Sequence, residues 1–185
     1  MNIIEWIDTS TVLDNLVSPI YDYDYIESIE SNVTHICLPD RTCRGMDCII
    51  FDFSRFILLE ELIIGDECFS NVNIFDIDGL SELKLIKIGK NSFTKEKNGW
   101  GYDSSQSFSI FNCDQLESIE IGSGSFSDYR DLFALVNLPK LSIIKIGEIG
   151  SKSSNFYSCS FDIRGKIYIM IMNRSSKFAI DWISW

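Results

Sequence analysis

Apolar residues recur along this chain in a fixed frame: a leucine, an aliphatic residue three and again five positions later, and then a glycine. The clearest copy is LESIEIG at residues 116–122, and three close copies, LEELIIG, LKLIKIG and LSIIKIG, start at residues 59, 83 and 141. A weaker copy, VTHICLP, starts at residue 33. The starts are separated by 26, 24, 33 and 25 residues. Spacings near 25 residues fall within the range of about 20–29 that is typical of leucine-rich repeats.

A second frame, phenylalanine followed two positions later by another apolar residue, accompanies each copy. It reads FDF, FDI, FSI, FAL and FDI from residues 51, 75, 108, 133 and 161. Alternation of apolar and polar residues is typical of a strand with one buried face. Each repeat therefore predicts two short strands, and burial of their apolar faces requires stacking on neighbouring repeats. The glycine after each copy is interpreted as the residue that allows the bend.

These patterns predict a mainly β repeat solenoid of about five turns, leucine-rich-repeat-like, with two short strands per turn. The solenoid is placed at residues 33–165, an N-terminal capping segment at 1–32 and a short C-terminal cap at 166–185. The first cap should contain a short helix around Leu13–Ile20, and a strand is expected at 167–172. The aromatic residues Phe178, Trp182 and Trp185 should seal the last turn. The alternative fold is an antiparallel sandwich, and each cap could instead bind a partner.

The stretch FALVNLPKLSIIKIG, residues 133–147, resembles the BspA-like branch of leucine-rich repeat proteins. The resemblance covers roughly residues 33–165 and is weakest in the first copy and in the long turn. It implies a right-handed solenoid with a strand-lined face and a role in recognition. The family has no shared catalytic residues that could be transferred to this chain.

Charge and cysteine content restrict the partners and the compartment. A formal net charge of −11 and a pI near 4.5 disfavour binding to nucleic acid or to anionic membranes, which relies on clustered Lys and Arg. No signal-like start or membrane-length apolar run is found, so we expect a cytoplasmic protein whose six cysteines are reduced. The alternative location is extracellular or on the cell surface, where Asn32 and Asn173 would be glycosylation acceptors.

Residues suited to catalysis or metal binding are sparse. The one histidine, His35, lies at an outward position of the weakest copy, and no nucleophile elbow, P-loop or dinucleotide motif occurs. His35 with Cys37, Cys43 and Cys48 could be written as a zinc set, but the paired Cys-x-x-Cys spacing is missing. We therefore expect no enzyme activity, no cofactor and no metal.

Outward positions of stacked strands should form columns, and these are the candidate binding residues. On the leucine–isoleucine strands the column contains Cys37, Ile63, Lys87, Glu120 and Lys145. On the phenylalanine strands it contains Asp52, Asp76, Ser109, Ala134 and Asp162, with Asp78 nearby, which suggests a partner with a basic patch or, less plausibly, Ca²⁺; an ordinary solvated acidic face is the more common meaning.

The long repeat contains an insertion at residues 94–106, in which Trp100 and Tyr102 are aromatic residues suited to an interface. The alternative is an ordinary solvated loop. Taken together, the sequence predicts a non-catalytic protein–protein interaction module with a rigid strand-lined surface. The alternative functions are an adhesion-type surface repeat, or a fragment of a longer array, and an enzyme that uses the acidic column.

Overall fold

Alternating apolar and polar residues form short strands throughout the described part of the chain. A computed structural model describes residues 28–44, 50–95, 106–147, 155–156, 159–164, 168–173 and 176–180, with the backbone path alone for 50–52, 168–173 and 176–180. These residues contain twelve strands and no helix. The helix expected near Leu13–Ile20 lies outside the described residues.

The strands form two sheets, named here the long sheet and the short sheet. The long sheet consists of β1 His35–Leu38, β3 Glu61–Ile64, β5 Leu85–Ile88, β7 Ser118–Ile121, β9 Ile143–Ile146, β11 Tyr168–Asn173 and β12 Ser176–Ile180. The short sheet consists of β2 Ile50–Asp52, β4 Ile74–Asp78, β6 Ser107–Phe111, β8 Leu132–Val136 and β10 Ser160–Arg164. The chain alternates between the sheets from β1 to β10.

Neighbouring strands are parallel, which confirms the predicted β repeat solenoid and excludes the antiparallel sandwich. Among the strand pairs of the described ranges, only the last, β11 with β12, is antiparallel. Five successive strand pairs, from β1 and β2 to β9 and β10, enclose about four full turns. The strand expected at residues 167–172 is β11, which continues the long sheet beside β9.

Equivalent aliphatic residues of successive coils stack directly over one another. In the long sheet the pairing aligns Leu38, Ile64, Ile88, Ile121 and Ile146, one from each coil. A second inward column of Ile36, Leu62, Ile86, Ile119 and Ile144 runs beside it. All ten side chains are buried, so the predicted aliphatic ladder is the core of the long sheet.

Two ladders of phenylalanine rings form a second part of the interior. One follows the short sheet through Phe75, Phe108 and Phe133, whose consecutive centroids lie 4.9 and 5.0 Å apart. The other runs along the corner between the sheets through Phe69, Phe93, Phe126 and Phe156, at 5.1, 4.8 and 5.0 Å. The ladders meet edge to face, as between Phe108 and Phe126 at 77°. Both contact types are favourable arrangements for aromatic rings.

The glycine column permits close approach of coils. A Cβ built on Gly122 would lie 2.5 Å from the carbonyl carbon of Gly89, and one on Gly89 would lie 2.5 Å from that of Gly65. Among the described glycines only Gly79 and Gly124 have a positive φ. The repeated glycine is therefore not needed for a left-handed conformation; its missing side chain makes room for the preceding coil.

Most described residues in the left-handed region are not glycine. The corner ladder itself has this conformation, with φ of 54° at Phe69 and Phe93 and 57° at Phe126. The N–H of each of these residues donates a hydrogen bond to a neighbouring coil, for example from Phe93 to the Cys68 carbonyl at 2.8 Å. Ring stacking and this hydrogen bond offset the strain of about 1–2 kcal/mol per residue.

Small polar residues immediately before the ring positions hydrogen-bond the coils together inside the corner. Ser92 Oγ donates to the Gly65 carbonyl at 2.8 Å, and Ser125 Oγ donates to the Gly89 carbonyl at 2.6 Å. Asn155 takes the same role towards the Gly122 carbonyl through Nδ2. These bonds satisfy backbone carbonyls where the glycine column brings two coils close together.

Candidate binding surface

The outer face of the long sheet carries the predicted column of candidate binding residues. Strand pairing aligns Cys37 with Ile63, Ile63 with Lys87, Lys87 with Glu120, and Glu120 with Lys145. Lys87 is exposed, and the other four side chains are partly exposed. Because the backbone register fixes their spacing, these side chains form one continuous row across five coils.

Charge on this face alternates in sign. Lys145 Nζ donates to Glu120 Oε1 at 2.5 Å, and His35 Nε2 lies 4.0 Å from Glu61 Oε1. Just before β3 and β5 begin, Lys84 Nζ donates a hydrogen bond to Glu60 Oε2 at 2.5 Å. This hydrogen bond lowers the pKa of the Glu60 carboxyl and raises the pKa of the Lys84 ammonium. The face therefore presents charges of both signs.

Apolar side chains lie between these charges. Ile63 and Leu85 are partly exposed, and Ile143 is 40% exposed at an outward position of β9. The outer face of the long sheet thus combines partly exposed apolar side chains with paired charges.

The outer column of the short sheet differs from the expectation of a solvated acidic face. Asp76 is exposed, but Ser109 and Ala134 are only 7% and 1% exposed. Ser109 Oγ donates to Asp76 Oδ1 at 2.5 Å, and Asp162 is held by two hydrogen bonds from Arg164 at 2.9 Å each. The assignment of Ser109 and Ala134 to an open face is wrong, and these two buried residues separate Asp76 from Asp162 along the column.

Trp100 and Tyr102 lie outside the described residues, but the two ends of their insertion are described. Asp128 Oδ2 accepts hydrogen bonds from the Lys95 N–H at 3.2 Å and from Gln106 Nε2 at 3.1 Å. Thr94 Oγ1 bonds to Asp128 Oδ1 at 3.2 Å and lies 2.6 Å from Ser127 Oγ. Asp128 is buried. One buried carboxylate thus holds together the residues on either side of the insertion.

Four described cysteines, Cys37, Cys68, Cys113 and Cys159, are free thiols whose surroundings raise their pKa. Burial raises the pKa of Cys68 and Cys113 to about 11 and that of Cys159 to about 12. Desolvation also raises the pKa of Cys37, against the opposing charge of Lys87. A thiol with a raised pKa is protonated at neutral pH and is a weak nucleophile and metal ligand.

The one histidine, His35, has its Nδ1 atom 2.9 Å from Thr34 Oγ1. Across the described ranges, no three His, Cys, Asp or Glu side chains are grouped so that they could hold a metal ion. Cys48 of the zinc alternative lies outside those ranges. No described helix is long and apolar enough to cross a membrane.

Two features of the structure were not found from the sequence. The Asp128 network joins residues more than twenty positions apart and follows no repeat. Phe156 belongs to the corner ladder but follows Gly147 by nine positions, whereas Phe69, Phe93 and Phe126 each follow their glycine by four. A partial signal for Phe156 was present, because Ser92 and Ser125 precede Phe93 and Phe126 of the corner ladder in the same way that Asn155 precedes Phe156.

Comparison of the chain with protein-family models, with curated proteins and with solved structures gave no match. Functional inference therefore depends on the geometry and chemistry described above.

Proposed function

We propose that this protein is a non-catalytic protein–protein interaction module whose binding surface is the outer face of the long sheet. The observation that carries the proposal is the accessible, register-aligned row of Cys37, Ile63, Lys87, Glu120 and Lys145. Stacked coils hold this row rigidly, so a partner gains contacts without the entropic cost of ordering a flexible surface. The resemblance of residues 133–147 to BspA-like leucine-rich repeats supports the same class of function.

The chemistry of the side chains also favours binding over catalysis. Burial raises the pKa of the Cys68, Cys113 and Cys159 thiols. The Thr34 hydroxyl lies 2.9 Å from His35 Nδ1, but the His35 and Glu61 side chains are 40% and 41% exposed, so this group lies in water and not in a closed site. Asp76 and Asp162, the carboxylates considered for an enzyme, are each engaged by a neighbouring side chain. We further propose that the protein works in the cytoplasm without a cofactor, since buried free thiols persist in a reducing compartment.

A pair of matched substitutions tests the surface. Lys87→Glu reverses a charge in the centre of the row, and Lys90→Glu makes the same change at an exposed residue just beyond β5. We expect a partner isolated with the full chain from its native source to bind Lys90→Glu as it binds the parent. Its affinity for Lys87→Glu should fall by about tenfold or more, measured by calorimetry with purified partner.

Ile63→Asp provides a second variant of the row, and circular dichroism checks that each variant is folded. Equal affinity of the parent, Lys87→Glu and Ile63→Asp would exclude the long sheet as the binding face. Trp100→Ala combined with Tyr102→Ala tests whether the insertion contributes: weaker binding supports a contact there, and unchanged affinity removes it from the proposal.

A further inference from the structure

Among the described strands, the short sheet ends before the long sheet does. The long sheet continues past β9 with β11 and β12, whereas the short sheet ends at β10. Among the strands that the structure describes, β10 pairs with β8 alone. One edge of β10 therefore offers backbone hydrogen-bonding groups in the way that an edge strand does.

Phe161 of β10 is the last ring of the short-sheet ladder and is incompletely covered. It is 49% exposed, whereas Phe75, Phe108 and Phe133 are at most 1% exposed. Its centroid lies 5.1 Å from that of Phe133, and the rings are tilted by 44°, compared with 7° and 9° earlier in the ladder. The Phe161 ring thus occupies an inward position of the ladder, and the rings of Phe133 and Phe156 cover it on one side.

The protein itself shows what kind of strand covers such an edge. β10 contains Phe161, Asp162 and Ile163, the same tripeptide as Phe75, Asp76 and Ile77 of β4. β6 covers β4 in parallel register and places Phe108 on Phe75, Ser109 beside Asp76 and Ile110 beside Ile77. The contacts are a ring stack at 4.9 Å and a hydrogen bond from Ser109 Oγ to Asp76 Oδ1 at 2.5 Å.

We propose that the open edge of β10 is a second binding site, which takes an extended segment of a partner polypeptide as an added parallel strand. The segment has an aromatic residue to stack on Phe161, a hydroxyl residue to donate to Asp162, and an aliphatic residue beside Ile163. Asp162 retains capacity for a further hydrogen bond beside those from Arg164, because a carboxylate has about four acceptor positions. Strand addition supplies affinity through the backbone, and the three side chains supply specificity. This site is independent of the long-sheet face.

The probe is a labelled peptide with the sequence of residues 106–112, Gln-Ser-Phe-Ser-Ile-Phe-Asn, which contains the strand that covers β4. Binding to the full chain is measured by fluorescence anisotropy, and hydrogen exchange locates the amides that the peptide protects. We expect saturable binding with protection confined to residues 160–164. Phe161→Ala should weaken binding by about tenfold or more, since one ring stack and its buried area are lost.

Matched controls distinguish binding at this site from nonspecific binding and from binding to the long-sheet face. Ile57→Ala removes an aliphatic side chain that is 65% exposed on the turn before β3, and it should leave peptide affinity unchanged. A peptide with Ser109→Asp should bind weakly, because it brings a second carboxylate to Asp162. Lys87→Glu should bind the peptide normally, so failure of the long-sheet proposal would not affect this result.

Three outcomes would overturn the proposal. The first is absence of peptide binding at the solubility limit, which would mean that another part of the chain occupies the edge. The second is equal weakening by Phe161→Ala and Ile57→Ala. The third is a concentration-dependent dimer of the parent that Phe161→Ala abolishes and the peptide does not disrupt, which would identify a second copy of the chain as the occupant.

Discussion

Replacing Gly122 with alanine tests how neighbouring coils fit together. The added Cβ would lie 2.5 Å from the carbonyl carbon of Gly89, 2.6 Å from its oxygen and 2.7 Å from the Lys90 nitrogen. Favourable contacts between carbon atoms occur at about 3.5–4.0 Å. All three atoms belong to the backbone, so rotation of a side chain cannot relieve the clash. The coils must separate by about 1 Å at this point.

The expected cost follows from that separation. Overpacking of this kind costs about 1–3 kcal/mol. Separation also weakens the hydrogen bond from the Gly122 N–H to the Ile88 carbonyl, which is 2.8 Å long and contributes about 1 kcal/mol. Alanine also lowers the conformational entropy of the unfolded chain, which stabilises the folded state by about 0.4–1 kcal/mol and offsets part of this cost. We therefore expect Gly122→Ala to reduce the free energy of unfolding by about 2–3 kcal/mol.

Gly79 is the matched control because glycine is favoured there by its positive φ and not by a close neighbour. Its φ is +74°, and a Cβ there would meet no atom within 4 Å. Asn112 and Asn137 occupy the equivalent corner of the next coils with φ of 53° and 57°. Gly79→Asn should therefore cost less than about 1 kcal/mol, whereas Gly122→Asn should be at least as harmful as Gly122→Ala.

Urea unfolding at equilibrium, followed by circular dichroism, measures these differences. Hydrogen exchange at the β5 and β7 amides shows whether the loss is local to the two coils that must separate. Equal stability of Gly122→Asn and Gly79→Asn would refute the reasoning, because it would mean that backbone bending and not close approach fixes glycine at residue 122.

Two further predictions concern buried groups. Ile121→Asp places a charge at a 4% exposed position between Ile88 and Ile146, and it should lower the free energy of unfolding by more than about 4 kcal/mol. Ser118→Asp, on the outward side of β7, is the control. A melting temperature of Ile121→Asp within a few degrees of the parent would contradict the burial argument. Burial raises the pKa of Cys68, Cys113 and Cys159 to about 11, 11 and 12 from 9.0. Their protonated forms therefore favour the folded state. This stabilisation is complete well below pH 9, the value for the unfolded thiols, and is lost as pH rises towards 11–12. The free energy of unfolding should therefore fall slightly from pH 8 to pH 9 and more steeply from pH 9 to pH 10, and a constant value would contradict the shifts.

The core and its register could be predicted because the sequence repeats them. Leu59, Leu83, Leu116 and Leu141 start nearly identical heptads, and alternation within each heptad identifies the inward residues. Even the weak first copy lies in register, since Ile36 pairs with Leu62. The outward column from Cys37 to Lys145 followed directly from the same repeat.

Other features depend on contacts that no local pattern encodes. Ser109 and Ala134 have outward positions in their strands, but burial depends on what surrounds a residue as well as on its strand parity. Phenylalanine rarely adopts the left-handed backbone conformation that the corner ladder shows. The stacked rings and the hydrogen bond to a neighbouring coil stabilise it there. Asp128 is a similar case, because its partners Lys95 and Gln106 come from a different coil.

The in-register pairing has a consequence for how this chain can change in length. If the coil that carries Ile88 were removed as a whole, Ile64 would meet Ile121, a contact of the same kind as those it replaces. Duplication of a whole coil would likewise create only familiar junctions. A single-residue insertion within a strand would instead turn all following side chains of that strand to the opposite face. Gain and loss of complete coils is therefore the route by which such a protein can grow or shrink and keep its interior.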